Sequence, residues 1–197
     1  MRELIGVPML ETVEGRALLG YLAACALPQD TAAFGDFEEH RYVFPGKVGM
    51  APGWPDQILT GREQRWVSAC ILASRSITGE DIEISMRANL ASNPMLEVSE
   101  EERRRFTLHE GGFFGNLFLA EPLAFVCIGD RNENESHDPV LLKRNCTARG
   151  DDDAMTALGL TACGYRLTGV CSQIGAPQVG GVSYVEVIDV YLEPEAD

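Results

Sequence analysis

The chain has 197 residues, of which 45% are hydrophobic and 23% charged, as in ordinary globular domains. This length predicts one globular domain over residues 1–197 with a core of its own, and no run of about 18 apolar residues is present to predict a transmembrane segment. The formal net charge of −14 disfavours binding to nucleic acid or to an anionic membrane surface, because like charges repel.

The first predicted helix spans residues 11–27 and ends before Pro28, which cannot donate the next helical hydrogen bond. Its apolar side chains recur at spacings of three and four residues, on a stripe of Leu18, Tyr21, Leu22 and Cys25.

The second predicted helix begins at Thr60, because Thr60 and Glu63 have the spacing of a capping box. Gly79 is expected to end it. Its predicted buried stripe consists of Trp66, Cys70, Ala73 and Ile77.

The remaining sequence predicts strands, with one helical turn at residues 99–105 whose charged side chains face solvent. The strand candidates are residues 40–44, 81–87, 106–118, 123–128, 165–171 and 183–192. The last is nearly continuously apolar, which favours a central strand. Two helices and five or six strands in irregular order predict an α+β fold, with a mainly antiparallel sheet stabilised by disulfides.

The six cysteines are even in number and include no C-x-x-C pair, which favours disulfides over a zinc or thioredoxin-type site: Cys25, Cys70, Cys127, Cys146, Cys163 and Cys171. We expect Cys25 to pair with Cys70, because both lie on apolar helix stripes. We expect a bond between Cys127 and Cys146 across a polar loop, and one between Cys163 and Cys171 within a short hairpin.

These bonds predict a secreted, periplasmic or cell-surface protein, because disulfides persist in oxidising compartments. The alternative is six reduced, buried thiols in a cytosolic protein. Residues 1–3 lack the basic and apolar regions of a signal peptide, and we expect that a leader was trimmed from the mature domain.

Three segments carry a resemblance. Residues 21–28 read Tyr-Leu-x-x-Cys-Ala-Leu-Pro, residues 65–70 read Arg-Trp-Val-Ser-Ala-Cys, and residues 110–118 read Glu-Gly-x-Phe-x-Gly-Asn-Leu-Phe. Over residues 15–130 the chain resembles a group of uncharacterised exported bacterial proteins. The resemblance implies export and paired cysteines, and it implies no activity.

A papain-like cysteine hydrolase is the alternative function. Gln64 precedes Cys70 by six residues, as an oxyanion-hole Gln would, and His109 and Asn116 follow in the order of that family. A nucleophilic Cys needs a lowered pKa, which a helix N-terminus and an imidazolium usually supply. Cys70 instead falls in the middle of the second predicted helix, so the sequence leaves open whether the protein is an enzyme.

Calcium is the one candidate cofactor. Oxygen-bearing side chains alternate as in the first half of an EF-hand loop, at Asp130, Asn132, Asn134, Ser136 and Asp138. The pattern then departs from the EF-hand, because Glu135 stands where glycine is needed and Leu141 where a bidentate Glu belongs. A non-EF site assisted by residues 151–153 and a solvated polar loop are the two interpretations.

Aromatic residues beside glycines suggest a ligand surface. Phe113 and Phe114 are flanked by glycines, which either permit close packing in a core or open a groove. Trp54 lies in a Pro/Gly-rich loop that could present its indole to a sugar. The sequence therefore predicts an exported, disulfide-stabilised binding or structural module, whose partner is an extracellular ligand, polymer or protein.

Overall fold

The computed structural model describes residues 2–4, 7–74, 83–88, 96–129, 164–174 and 178–194. The fold of these residues is α+β, as the sequence predicts. The helices are α1 (Val13–Ala26), α2 (Gly61–Ser74), α3 (Glu100–Arg105) and α4 (Cys171–Ile174), and a 3-10 turn spans Pro8–Leu10. The strands are β1 (Arg2–Glu3), β2 (Ala32–Phe37), β3 (His40–Pro45), β4 (Ser85–Ala88), β5 (Leu108–Asn116), β6 (Leu123–Ile128), β7 (Arg166–Val170), β8 (Gln178–Val179), β9 (Val182–Ser183) and β10 (Ile188–Leu192).

The largest sheet has five strands in the order β4-β10-β5-β6-β7, and β10 is interior to it, as predicted. A second sheet has the order β1-β2-β3, and β8 pairs with β9. The prediction of a mainly antiparallel sheet is wrong, because the five-stranded sheet is mixed: β7 runs parallel to β6. A parallel neighbour requires a long crossover connection, and the chain between residues 129 and 165 is long enough to make one.

From Trp66 to Ala73, the helix α2 is buried on every side. Burial of this kind is typical of a helix that passes through a core rather than over its surface. Its polar groups are satisfied there, because the Tyr165 hydroxyl donates to the Leu72 carbonyl at 3.0 Å and the Leu117 amide donates to Ser68 Oγ at 2.9 Å. The capping box at its start is confirmed, since the Thr60 amide donates to Glu63 Oε2 at 2.8 Å. Residues 77 and 79 of the predicted helix lie outside the described residues.

The helix α1 buries only half of the predicted stripe, Leu22 and Cys25. Leu18 and Tyr21 are exposed, and the buried residues are Leu19, Leu22, Ala23, Cys25 and Ala26. Both stripes satisfy helical spacing, so periodicity alone does not separate them. The face with the smaller side chains is the one that packs closely against α2, to which the bond between Cys25 and Cys70 ties it.

The pairing of Cys25 with Cys70 is confirmed. The other two expected pairings are wrong, because Cys127 is bonded to Cys171, with Cα atoms 4.9 Å apart. Cys127 lies on β6 and Cys171 directly follows β7, and the parallel pairing of these strands brings the end of β7 close to Cys127. Cys146 and Cys163 lie outside the described residues.

Candidate functional site on the outer sheet face

The two faces of the five-stranded sheet have different chemistry. On β10, Ile188 and Val190 belong to the core that contains α2, whereas Asp189 and Tyr191 alternate onto the opposite face. We call this opposite face the outer face. It combines partly exposed polar side chains with a disulfide, and it is the candidate site.

A β-bulge brings His109 onto the outer face. In the ladder between β10 and β5, Val190 opposes Gly111 but Tyr191 opposes His109, so Glu110 is the extra residue of the bulge. A bulge of this kind redirects side chains, and here it buries Glu110 and turns His109 toward Asp189. His109 Nε2 lies 3.2 Å from Asp189 Oδ1, and the side chains remain 14% and 28% exposed.

Tyr191 is held between two neighbours. The His109 ring stacks on it with centroids 4.7 Å apart and planes inclined by 15°, and the Arg87 guanidinium carbon lies 3.8 Å from the centre of the Tyr191 ring. Because β4 and β5 flank β10 on opposite sides, Arg87 and His109 approach the ring from two directions. Arg87 also donates to the Phe106 carbonyl at 2.6 Å and to Ser85 Oγ at 3.2 Å. Burial lowers the pKa of the Arg87 guanidinium, which nevertheless stays charged at neutral pH.

Gly112 allows the disulfide and the Asp189 carboxylate to approach each other. It pairs with Asp189 on one side and with Cys127 on the other. A Cβ atom at this position would lie 2.8 Å from Cys127 Sγ and 3.0 Å from Asp189 Oδ1, so the sulfur would have to shift and the carboxylate to give way slightly. The missing side chain therefore lets the two groups, which lie on the strands flanking β5, approach each other across Gly112.

Three residues of the outer face have atoms that can ligate a metal. One such atom each from His109, Cys171 and Asp189 lies within 4.8 Å of the other two. The Cys171 sulfur is bonded to Cys127 in this state and is therefore no thiolate ligand.

Next to the polar residues, the outer face carries an aromatic cluster. Phe114, Phe125 and Tyr184 pack with ring centroids 5.3 to 6.1 Å apart, and all three are buried. Burial raises the pKa of the Tyr184 phenol.

The predicted ligand-binding aromatics do not form one surface. Phe113 and Phe114 are fully buried and belong to two different clusters, and Phe113 packs edge-on against Tyr165 at 5.7 Å. Both therefore pack in a core, which was the alternative to a ligand-binding groove. Trp54 is half-buried and packs against the main core.

The residues of the papain-like hypothesis are divided between two places. Asn116 Nδ2 donates to Gln64 Oε1 at 3.3 Å, so these two meet, at the end of β5 beside α2. His109 instead faces Asp189 on the outer face. Cys70 is bonded to Cys25, which leaves no thiolate to act as the nucleophile in this state.

The candidate calcium ligands at residues 130–138 lie outside the described residues, and the calcium site stays a prediction. Asp189, Tyr191 and Arg87 were not selected as site residues from sequence. The alternation along residues 183–192 does place Asp189 and Tyr191 on one face. The sequence around Glu110, however, gives no signal of the bulge that brings His109 close to them.

The chain matches no protein-family model, no curated protein and no solved structure. The resemblance to exported bacterial proteins therefore stays a prediction. None of the helices among the described residues is long and apolar enough to cross a membrane.

Proposed function

We propose that the protein is an exported, disulfide-stabilised binding module whose binding surface is the polar part of the outer sheet face. One observation carries this proposal: the disulfide between Cys127 and Cys171 lies directly beside the partly exposed pair of His109 and Asp189. Polar side chains on strands that a nearby disulfide holds in place are suited to binding a ligand. They have little conformational freedom left to lose when the ligand binds.

The charge of the chain indicates the class of partner. A formal net charge of −14 attracts cations and raises their local concentration at the surface. Asp189 offers a partly exposed carboxylate, which accepts hydrogen bonds from ammonium or guanidinium groups. The partner is therefore an extracellular ligand, polymer or protein segment that presents positive charge.

The export part of the proposal is tested by mass mapping of the non-reduced, alkylated protein recovered from the bacterial periplasm. The expected peptides link Cys25 with Cys70 and Cys127 with Cys171. Recovery of folded protein with all its cysteines alkylated would contradict an oxidising compartment.

The binding part is tested by chemical-shift mapping with oligolysine as the probe and with a neutral oligosaccharide and oligoglutamate as comparisons. We expect shifts around His109, Asp189 and Tyr191 with oligolysine, weakened at least tenfold by Asp189→Asn. Asp36→Asn, at an exposed aspartate of the other sheet, is the matched control and should leave binding unchanged. Equal shifts with all three probes, or equal loss in both variants, would contradict a binding surface at the outer face.

A further inference from the structure

The disulfide of the outer face has two metal-ligating side chains beside it. His109, Asp189 and Cys171 each place one ligating atom within 4.8 Å of the others, and Cys127 contributes the sulfur bonded to Cys171. Imidazole, carboxylate and thiolate are the groups that bind Zn²⁺ in proteins. Among the described residues, this is the one group of three or more such side chains close enough to share an ion.

We propose that reduction of the bond between Cys127 and Cys171 opens a zinc site formed by both cysteines, His109 and Asp189. The inference goes beyond the proposed function and does not rest on it. In the oxidised state the site is closed, because a disulfide sulfur is a poor ligand. In the reduced state each cysteine can lose its proton and bind the ion as a thiolate.

The distances among three of the four ligands require only small movements. Tetrahedral zinc with bonds of about 2.0–2.3 Å holds its ligand atoms about 3.3–3.8 Å apart. His109 Nε2 and Asp189 Oδ1 are already 3.2 Å apart, and all three ligand atoms lie within 4.8 Å. For these three atoms, side-chain rotations that move an atom by about 1 Å therefore suffice, and the sulfurs of Cys127 and Cys171 move apart once their bond is broken. Gly112 leaves the space between Cys127 and Asp189 free of a side chain.

The charges around the site favour a cation once both cysteines are thiolates. Two thiolates and one carboxylate carry one more negative charge than Zn²⁺ neutralises. The guanidinium of Arg87 is the neighbouring positive group, since Arg87 pairs with Asp189 across β4 and β10. A compensated site of this kind costs less to bury than one with an uncompensated charge.

The reduction step balances with a phosphine or a dithiol. A trialkylphosphine takes up the oxygen of water and becomes a phosphine oxide, while the two sulfurs gain two electrons and two protons. Cys127 is buried but its partner Cys171 is half-buried and open to attack, whereas Cys25 and Cys70 are both buried between α1 and α2. A reductant therefore reaches the bond of the outer face before the bond of the core.

The test is a titration of the full chain with Co²⁺, under anaerobic conditions and after limited reduction by a water-soluble phosphine. Thiolate-bound Co²⁺ has a near-ultraviolet charge-transfer band that carboxylate or imidazole ligands alone do not give. We expect one equivalent to bind to the reduced protein with this band, and no band with the oxidised protein. Alkylation and mass mapping verify which cysteines were reduced.

Two double variants assign the sulfurs. Cys127→Ser/Cys171→Ser should abolish the band, whereas Cys146→Ser/Cys163→Ser should retain it. His109→Ala and Asp189→Asn should weaken binding about tenfold or more, and His40→Ala, at an exposed histidine of β3, should not.

A band that survives in Cys127→Ser/Cys171→Ser, or reduced wild-type protein without a band, would overturn the proposal. Should that double variant fail to fold, the His109 and Asp189 variants retain both cysteines and decide the question. Unchanged affinity in both would also overturn it. Loss of oligolysine binding leaves this result untouched, so the two proposals can fail separately.

Discussion

At the scale of single residues, Gly112 determines how closely the two halves of the outer face approach. Its neighbours on both sides, Cys127 Sγ and Asp189 Oδ1, lie where a side chain would begin. Neither neighbour can move away easily, since the sulfur is held in a disulfide and the carboxylate is hydrogen-bonded to His109.

Gly112→Ala is therefore expected to lower the free energy of unfolding by about 1–3 kcal/mol, because a well-packed site must shift to admit the methyl group. The matched control is Gly20→Ala on α1, where an added Cβ meets nothing within 4 Å. That substitution should stabilise the protein by about 0.5–1 kcal/mol through helix propensity. Urea denaturation of both variants measures the difference, and equal stabilities would contradict the packing described for Gly112.

Tyr184 links stability to alkaline pH. Burial raises the pKa of its phenol above the ordinary value of about 10, so the unfolded chain loses this proton at a lower pH than the folded protein does. The contribution to stability is complete below about pH 10 and is lost as pH rises through the folded-state value.

Tyr184→Phe should therefore make the decline of stability above about pH 10 less steep, as measured by urea denaturation across that range. Tyr21→Phe, at an exposed tyrosine of α1, serves as the control. A decline of the same steepness in Tyr184→Phe and wild type would argue against burial as the cause.

At the scale of secondary-structure elements, each disulfide joins two elements that are far apart in the chain. The bond between Cys25 and Cys70 closes a separation of 45 residues and ties α1 to α2, and the bond between Cys127 and Cys171 closes 44 residues and ties β6 to the start of α4. Loops of nearly equal length predict nearly equal entropic stabilisation.

Replacement of Cys25 and Cys70 by alanine should therefore lower the free energy of unfolding by about 4 kcal/mol through the entropy of the unfolded chain. Cys127→Ala/Cys171→Ala provides the comparison at the same loop length. A loss below about 1 kcal/mol for the core pair would mean that native packing alone holds α1 against α2.

The elements themselves were largely predictable, because their signals are local. Thr60 and Glu63 mark the start of α2, and the predicted strand of residues 123–128 coincides with β6. The parallel pairing of β6 with β7 and the bulge at Glu110 were not predictable, since both depend on contacts between distant segments. For this reason the sequence predicted one disulfide correctly and two incorrectly. It also identified His109 as a candidate site residue but not Asp189, the residue that His109 contacts.

At the scale of the whole molecule, the acidic charge makes stability sensitive to cations. A chain with a formal net charge of −14 repels itself, and any salt relieves part of that repulsion. A specific calcium site is distinguished from this general effect by comparison at equal ionic strength.

If residues 130–138 bind calcium, the melting temperature should rise with Ca²⁺ by more than it rises with Mg²⁺ or Na⁺ at the same ionic strength, and a chelator should reverse the rise. Asp130→Asn/Asp138→Asn should remove the specific part, while Asp36→Asn should not. Equal rises of the melting temperature with all three cations would contradict a calcium site and would be explained by charge screening alone.

The position of β7 indicates where the protein begins to lose its native structure. It is one of the two edge strands of the described five-stranded sheet, and the disulfide of Cys171, the residue that follows β7, ties its end to β6. Reduction of that disulfide would allow β7 to separate from β6. The unpaired backbone of β6 could then form hydrogen bonds with strands of other molecules. Under reducing conditions and without a bound metal ion, we therefore expect intermolecular polymerisation to begin at this edge of the sheet, before the helical interior around Trp66 opens.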